Sequence, residues 1–512
     1  MSPPLLYTGK PEDGRKLLQL LEQQFIIKTG DEENRTVTYL DTFDWRLYRA
    51  GYTLKFCHAT YLLQRLKGWI PVALMTVSSR RPYRFSREFS EGELRQILAA
   101  IINVRALLPI LSLKETIQPL RLLNQEEKTL VKLELTTLTA PTDQKALMLS
   151  VNPLKGYDKA FRRVNQVVQG IEELQPAASA FDIIQTIGNL QPGNYSNKLD
   201  VILDPDQPAN EATRKILLAL VGAMRANEQG IVEDIDSEFL HDFRVAIRRT
   251  RAALGQIKHV FPAAKTEYFR NVFAELGRQT NLLRDLDVYL LNQEHFLQLL
   301  PSHLQPGLNA FFLQLKRKRR SALSRVRRFL HSPLYRQYME EWQTFLVELP
   351  ETDIKIPVNA KKTIGKLASL FIHRRFHQII KAGNRITPAS PDEKLHKLRI
   401  NGKKLRYLLE FFASLYPPAE MKRLISRLKK LQDNLGEFND LSVQQHYLNQ
   451  YLDALNHNRS GDILTAAAIG GLVARLHERH QQVRKDFTKT FSRFNTPEIQ
   501  TTFDHLFLLW RP

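Results

Sequence analysis

The chain has 512 residues, enough for two to four domains with separate cores, and its 43% hydrophobic and 25% charged fractions are those of a soluble globular protein. Lys and Arg number 74 against 53 acids, a net charge of +21, and the single cysteine, Cys57, excludes an intrachain disulfide and a thiolate metal cluster. The basic excess is uneven, with 26 basic against 21 acidic residues in 1–200 and 48 against 32 in 201–512. A field of that sign concentrates polyanions, which points to nucleic acid, polyphosphate or an anionic membrane surface without choosing among them.

Residues 1–200 carry short β-type runs. Arg35–Thr42 is β-branched and alternating and reads as a strand; Tyr52–Phe56 and Tyr61–Lys67 read as a strand pair. Thr129–Leu138 sets Leu130, Lys132 and Glu134 against Val131, Leu133 and Leu135, the two faces of another strand. Helices are expected over Gly14–Gln24 and Glu91–Ile102, and Pro153–Phe161 reads as a loop leading into the next helical stretch. The balance is an antiparallel sheet with a few helices.

Within this region the segment Thr38-Tyr-Leu-Asp-Thr-Phe-Asp-Trp-Arg-Leu-Tyr-Arg-Ala-Gly51, followed by Leu54-Lys-Phe56, resembles the characteristic segment of CYTH domains. These are triphosphate tunnel metalloenzymes, β-barrels that bind triphosphate-bearing substrates with a divalent metal. The resemblance implies a β-barrel-like domain over 1–200, places Lys67 at a tunnel-lysine position, and makes Leu154–Phe161 the linker to a helical partner. The chain departs from that pattern at its metal motif. Where the family has Glu-x-Glu-x-Lys, this sequence has Tyr7-Thr-Gly-Lys-Pro-Glu-Asp-Gly14; Lys55 and Cys57 replace arginines, and the second acidic motif is reduced to Glu134. A divalent ion needs several converging oxygens, so the expectation is a degenerate domain without catalysis. A metal-dependent triphosphate hydrolase is the alternative.

From Asn210 the text becomes amphipathic helices, after a linker expected at Asp204–Pro208. Candidates are Glu211–Asn227, Glu238–Val260, Lys265–Leu297, Leu308–Leu330 and Glu340–Leu349, then a connector over Leu349–Pro357. Ala360–Ala382, Glu393–Leu415, Ala419–Leu455 and Leu464–Phe494 follow, the last with a candidate break at Gly470-Gly471. A repeat runs through this region at an offset of 155 residues. His241-Asp-Phe-Arg-Val-Ala-Ile-Arg-Arg-Thr-Arg251 returns as His396-Lys-Leu-Arg-Ile-Asn-Gly-Lys-Lys-Leu-Arg406; Leu283–Val288 meets Phe438–Val443, and Arg320 meets Arg475. Two four-helix units, about 205–350 and 358–505, packed with pseudo-two-fold symmetry, are the simplest account.

On a wheel of about 100° per residue, His241, Arg244, Arg248 and Arg251 form one stripe about 80° wide, while Arg249 stands apart. Phe243, Ile247 and Leu254 occupy the adjoining core arc. In the second copy His396, Arg399, Lys403 and Arg406 make the stripe, beside Leu395, Leu398, Leu405 and Leu409. Cations arriving about every turn suit an extended chain of phosphates, and Arg binds phosphate oxygens bidentately. The competing reading is a solvated or internally paired face, with Asp285, Asp287 and Asp440 as candidate partners.

These motifs closely resemble CHAD, the conserved-histidine α-helical domain, over about 205–505. The hallmarks are His-x-x-Arg-x-x-x-Arg-Arg-x-Arg in each half, then Arg284-Asp-Leu-Asp-Val288, with Asn227-Glu228 and Lys404-Leu-Arg-Tyr407 also fitting. The family has two pseudo-symmetric helical bundles whose basic surfaces bind inorganic polyphosphate. The resemblance implies His241, Arg244, Arg248, Arg251, His396, Arg399, Lys403 and Arg406 as contacts, with Arg249, Lys404, Arg320 and Arg475 added. The second copy departs in Lys403, Lys404 and a mid-helix Gly402, which can mark a close approach.

Lys316–Arg320, continued by Arg325, Arg327 and Arg328, is a charge run that reads first as a solvated face. His373-Arg-Arg-Phe-His377 and His477-Glu-Arg-His480 have ligand spacing, but arginine neighbours disfavour a cation, so no metal or other cofactor is expected. The stretch Met1–Leu6 lacks the features of a signal peptide, and the longest apolar run, Ile463–Val473, is about half of the ~20 residues a membrane span needs. The sequence reading is therefore a multidomain α+β, cytoplasmic polyphosphate-binding protein, with an association with polyphosphate granules as one expectation. An RNA- or DNA-binding module is the remaining alternative, and no base-stacking motif supports it.

Overall fold

A computed structural model describes residues 4–348, 356–455 and 460–508. The chain divides into two compact units, 1–196 and 197–512.

The first unit is built on an antiparallel sheet. Its elements are β1 (Leu5–Gly9), α1 (Pro11–Glu22), β2 (Ile26–Thr29), β3 (Glu33–Asp41), α2 (Arg46–Arg49), β4 (Tyr52–Cys57), β5 (Thr60–Arg65), β6 (Pro71–Thr76), α3 (Glu93–Ile102), β7 (Leu108–Leu123), β8 (Thr129–Thr139), β9 (Lys145–Pro153), α4 (Asp158–Gln169), β10 (Gln175–Pro176) and α5 (Ala180–Ile187). The strand order is β10-β1-β9-β8-β7-β3-β4-β5-β6, with β2 pairing the far half of β7. Alternation in β8 buries Val131, Leu133 and Leu135 against α1 and α4, as the pattern predicts. Two expectations change here. Residues 158–169 are a helix of this unit, with Phe161, Val164 and Val168 in its core, rather than a linker. Lys67 lies in an exposed 3-10 turn after β5, outside the strands of the sheet.

The motif from Thr38 to Gly51 is a capped turn. Buried Asp41 accepts backbone N–H bonds from Thr42, Leu47 and Tyr48 at 2.7, 2.9 and 2.9 Å, which satisfies the start of α2. Burial pushes its carboxyl up to about 6. Asp44 takes Thr42 Oγ1 at 2.8 Å and Arg46 Nε at 3.0 Å. The carboxylates of this segment therefore stabilise a turn.

The second unit is helical. It contains α6 (Ala209–Val232), α7 (Ser237–Gln256), α8 (Ala263–Leu291), α9 (Gln293–Gln298), α10 (Gly307–Leu330), α11 (Pro333–Val347), α12 (Ile364–Gly383), α13 (Asp392–Phe411), α14 (Pro418–Asp453), α15 (Ser460–Phe494) and α16 (Pro497–Leu508). In the first repeat α6, α7, α8 and α10 pack in a ring; in the second α12, α13, α14 and α15 pack in sequence, with α16 against α12. Among the pairs joining the repeats are α7 with α13 and α10 with α15. Each joins a helix to its own equivalent, the signature of pseudo-two-fold packing. Tyr289 Oη donates to the Gln444 carbonyl at 3.4 Å, 155 residues away, so a residue meets its own counterpart beside the axis. At the crossing of α10 and α15 a Cβ on Gly307 would stand 2.4 Å from the Leu464 carbonyl oxygen, which explains glycine there.

Several sequence expectations are corrected. Asp204–Pro208 is part of this unit: Ile364 and Gly365 donate backbone N–H bonds to the carbonyls of Gln207 and Pro205, at 3.0 and 2.9 Å. α8 and α9 are separate helices divided at Asn292. α15 runs unbroken through Gly470 and Gly471. Gly402 is not a close approach, since a Cβ there would meet Gln432 Cγ at an ordinary 3.7 Å. The expected connector Leu349–Pro357 lies outside the described residues up to 355. Among the described residues no helix is long and apolar enough to cross a membrane.

Candidate functional site

Asp236 starts α7 by accepting the Glu238 and Phe239 amides at 2.9 and 3.3 Å. The apolar arc then fixes the helix rotation, with Phe243, Ile247 and Leu254 at 0%, 1% and 4% exposure. On α13 Leu395, Leu398, Leu405 and Leu409 are equally buried. With those faces packed inward, the two basic stripes are carried along the α7–α13 junction.

Arg244 is anchored on α8. Its Nη1 donates to the Gly277 carbonyl at 2.9 Å and to Thr280 Oγ1 at 2.7 Å; its Nη2 donates to Asn281 Oδ1 at 2.7 Å. Burial, reinforced by Arg248, pushes its guanidinium down to about 10, with Asp285 acting the other way. Arg399 stands equivalently to Asp440, with a nitrogen–oxygen distance of 3.7 Å, and burial also lowers it. Each repeat thus sets one acid against the second residue of its stripe. Asp287 does something else: it binds Arg319 at 2.6 Å, and Arg319 also holds Asp234. The residues 155 positions after Arg319 and Asp287 are Ala474 and Ser442, so that pair is absent as a unit from the second repeat.

The centre of the site is the group Arg248, Arg399 and Lys403. Burial first, then Arg399 and Arg248, push the Lys403 ammonium down to about 8. Arg248 likewise depresses Arg399. Cations from both repeats therefore share one field. Among the described residues no hydrogen bond or ion pair engages Arg248, Arg251 or Lys403. Arg244, Arg248 and Arg251 line a cleft of about 240 Å³ together with Gly277, Arg278 and Asn281.

The remaining predicted residues are distributed differently. Partly buried His241 stands near the start of α7; exposed His396 shares a 2.7 Å hydrogen bond through Nδ1 with Asn439 Oδ1. Arg406 Nε donates to Glu410 at 2.6 Å while keeping a coulombic effect on Lys403. Arg249, off the stripe as the wheel predicts, is bound to Glu410 at 2.8 Å and to the Asn197 carbonyl at 2.6 Å. Glu410 thereby ties α7 to α13, and Arg249 serves the inter-repeat contact. Lys404 faces a second group of cations, Arg375, Lys258 and Arg270, which with burial lower its ammonium. Arg475 pairs with Glu478 at 2.9 Å on the wall of a mixed-charge cleft of about 940 Å³, also lined by Asp433, Glu437 and Asp440. Arg320 is exposed on α10 and lines neither cleft. Arg278 and Asn281 escaped the sequence reading because their counterparts are Asp433 and Gly436, so the repeat does not mark them.

In the first unit the polar face presents Arg35, Tyr39, Lys55 and Glu115. Arg35 binds Glu115 through Nε and Nη2 at 2.9 and 2.8 Å, and Tyr39 Oη adds 3.2 Å. Burial pushes Lys55 down to about 8, against the pull of Glu115. The divalent ion implied by the CYTH resemblance requires converging free carboxylate oxygens. Glu115 is committed to Arg35, and among the described residues the one His/Asp/Glu group that converges on a metal-sized space lies in the other unit. The donor set of the sheet does not fit that ion.

No curated protein matches the chain. Among solved structures it is similar to the CHAD domain from the plant Ricinus communis, at 24% identity over 58% of this chain and 96% of that one, with a TM-score of 0.48. It is also similar to PptA from Streptomyces chartreusis, at 16% identity over 56% of this chain and 99% of that one, with a TM-score of 0.43. The family model of the CHAD domain matches residues 215–449, from within α6 to within α14, and takes in both stripes. The helical unit of this chain carries a CHAD domain.

Proposed function

We propose that the helical unit binds inorganic polyphosphate along the α7–α13 junction, without chemistry. The observation that carries the reading is the cation group of Arg248, Arg399 and Lys403, contributed by both repeats and faced by the single acid Asp440, in which burial and then the neighbouring cations depress Arg399 and Lys403. A fold keeps such a group at a cost unless a polyanion covers it. Arg248, Arg251 and Lys403 are the principal contacts. Arg244 and Arg399, each facing one acid, hold the flanks, and His241, His396 and Arg406 extend the line. The commitment of Glu115 to Arg35 supports a non-catalytic role for the sheet unit.

The test is competition. Labelled long-chain polyphosphate is bound to the full chain and challenged with RNA at equal phosphate concentration. Retention of polyphosphate is expected, and displacement by RNA overturns the reading in favour of nucleic acid. Phosphate release from tripolyphosphate with Mg²⁺ or Mn²⁺ is measured alongside, and sustained turnover that survives removal of contaminating phosphatases refutes the non-catalytic assignment.

A further inference from the structure

The helix pair α12 and α16 carries a feature independent of the basic stripes. His373 and His377 stand one turn apart on α12, and Asp504 on α16 reaches both. His373 Nε2 is 3.0 Å from Asp504 Oδ1, His377 Nε2 is 3.3 Å from the same oxygen, and the two ring nitrogens are 2.9 Å apart.

Hydrogen bonding alone does not satisfy this triangle. With both rings protonated at Nε2, two N–H groups confront each other across 2.9 Å. With one proton, a single N–H must serve two acceptors, and with none, three lone pairs converge. A cation at the common point satisfies all three atoms at once. Metal–nitrogen and metal–oxygen bonds of about 2.0–2.1 Å in a tetrahedral shell separate ligand atoms by roughly 3.3 Å. The observed separations of 2.9, 3.0 and 3.3 Å need outward shifts of only a few tenths of an ångström.

The frame is rigid where the ligands are attached. Phe376, next to His377, stacks on Phe503, next to Asp504, with ring centroids 3.8 Å apart and planes at 8°, both fully buried. His377 and Asp504 have side chains 47% and 45% exposed, so water can complete the shell. The neighbouring arginines do not oppose an ion as their sequence position suggests. Arg374 and Arg375 project about 100° and 200° around the helix from His373, and Arg375 is hydrogen-bonded to Gln378 and to Asn401 of α13. The other spaced pair, His477 and His480, diverges: His477 meets Gln445, and His480 stacks on Phe438.

We propose that His373, His377 and Asp504 bind a divalent transition-metal ion of the zinc class, joining α16 to α12. Two imidazoles with one carboxylate suit Zn²⁺, Co²⁺ or Ni²⁺ and are poor for Mg²⁺ and Ca²⁺, which take oxygen ligands.

The test uses the untagged full chain, stripped with a chelator and free of polyphosphate, which would itself sequester metal. Zn²⁺ is titrated calorimetrically against wild type, His377→Ala, Asp504→Asn and the double variant His373→Ala/His377→Ala. One site per chain is expected in wild type, at least about tenfold weaker in each single variant and lost in the double variant. Co²⁺ bound to wild type is expected to show the visible absorption of a low-coordinate site, and excess Mg²⁺ is expected not to displace it. His377 and Asp504 are half-exposed, so the single variants retain their circular dichroism and remain informative if the double variant misfolds. Unchanged stoichiometry and affinity in His377→Ala and Asp504→Asn, or equal competition by Mg²⁺, overturns the site.

Discussion

Lys403 offers the sharpest check on the idea that the cation group is retained for a ligand. Its ammonium is pushed from 10.5 to about 8 by burial, Arg399 and Arg248. That depression corresponds to roughly 3 kcal/mol of destabilisation of the folded state at neutral pH. Lys403 is partly exposed, so screening reduces this to about 1–2 kcal/mol. Lys403→Met keeps the aliphatic stem and removes the charge. The variant is expected to be more stable than wild type by about 1–2 kcal/mol, a rise in Tm of about 1–2 °C per kcal/mol for a unit of this size, while binding polyphosphate more weakly. The pH dependence fixes the cause. Because the folded pKa lies below the unfolded one, the cost is fully present below about 8 and fades as pH rises towards 10.5. The gain from Lys403→Met is therefore largest at neutral pH and vanishes at high pH. Polyphosphate affinity of the wild type falls as pH rises through about 8, because binding must then take up a proton from solvent onto Lys403. Thermal denaturation at a series of pH values, with affinity measured in parallel, decides the matter. A destabilised variant at neutral pH, or a gain that does not change with pH, refutes the reasoning.

Three further outcomes follow from named contacts. Arg248→Gln is expected to lower the magnitude of the slope of log affinity against log salt by about 0.7, the value for one contact to a single-stranded polyanion, whereas Arg249→Ala leaves that slope unchanged and, by exposing Glu410 to a single remaining partner, costs about 1–2 kcal/mol in denaturant unfolding. Gly402→Ala is expected to stabilise α13 by about 1 kcal/mol, since helix propensity favours Ala and the added Cβ makes only ordinary contacts; a loss of stability in the same assay contradicts it. Arg35→Ala is expected to destabilise the sheet unit by about 3 kcal/mol, because it removes the paired charge from Glu115, which is 3% exposed and keeps the Tyr39 hydroxyl, and hydrogen exchange of β3 and β7 reads the effect.

The legible parts of the molecule were those where a period or a repeat spoke. The stripe and core arc of α7 follow from 3.6-residue spacing, and the 155-residue offset located the same layout in α13. Strands such as β8 announced themselves by alternation, while Leu108–Leu123, rich in Leu and interrupted by Pro109 and Pro119, did not. Pairing was harder. Asp287 and Asp285 stand two residues apart in sequence, yet only Asp285 faces the stripe, and α10 claims Asp287. The disappearance of both Arg319 and Asp287 from the second repeat was a signal available in the sequence. Asp504 was out of reach, because it sits in a helix that extends past the expected boundary and because its meeting with His377 depends on the Phe376–Phe503 stack.

The meeting of Tyr289 with its own counterpart Gln444 bears on direction. A junction between equivalent helices looks nearly alike when approached from either end. A polymer of identical phosphate units likewise has no head or tail, so it can lie in such a junction both ways with similar contacts. A nucleic-acid strand has distinct ends, and one of its two orientations would set sugars and bases against groups placed for the other. The departures from symmetry, among them Arg248 opposite Lys403, Arg278 opposite Asp433 and Asn281 opposite Gly436, are then features by which this protein could tell one end of its ligand from the other.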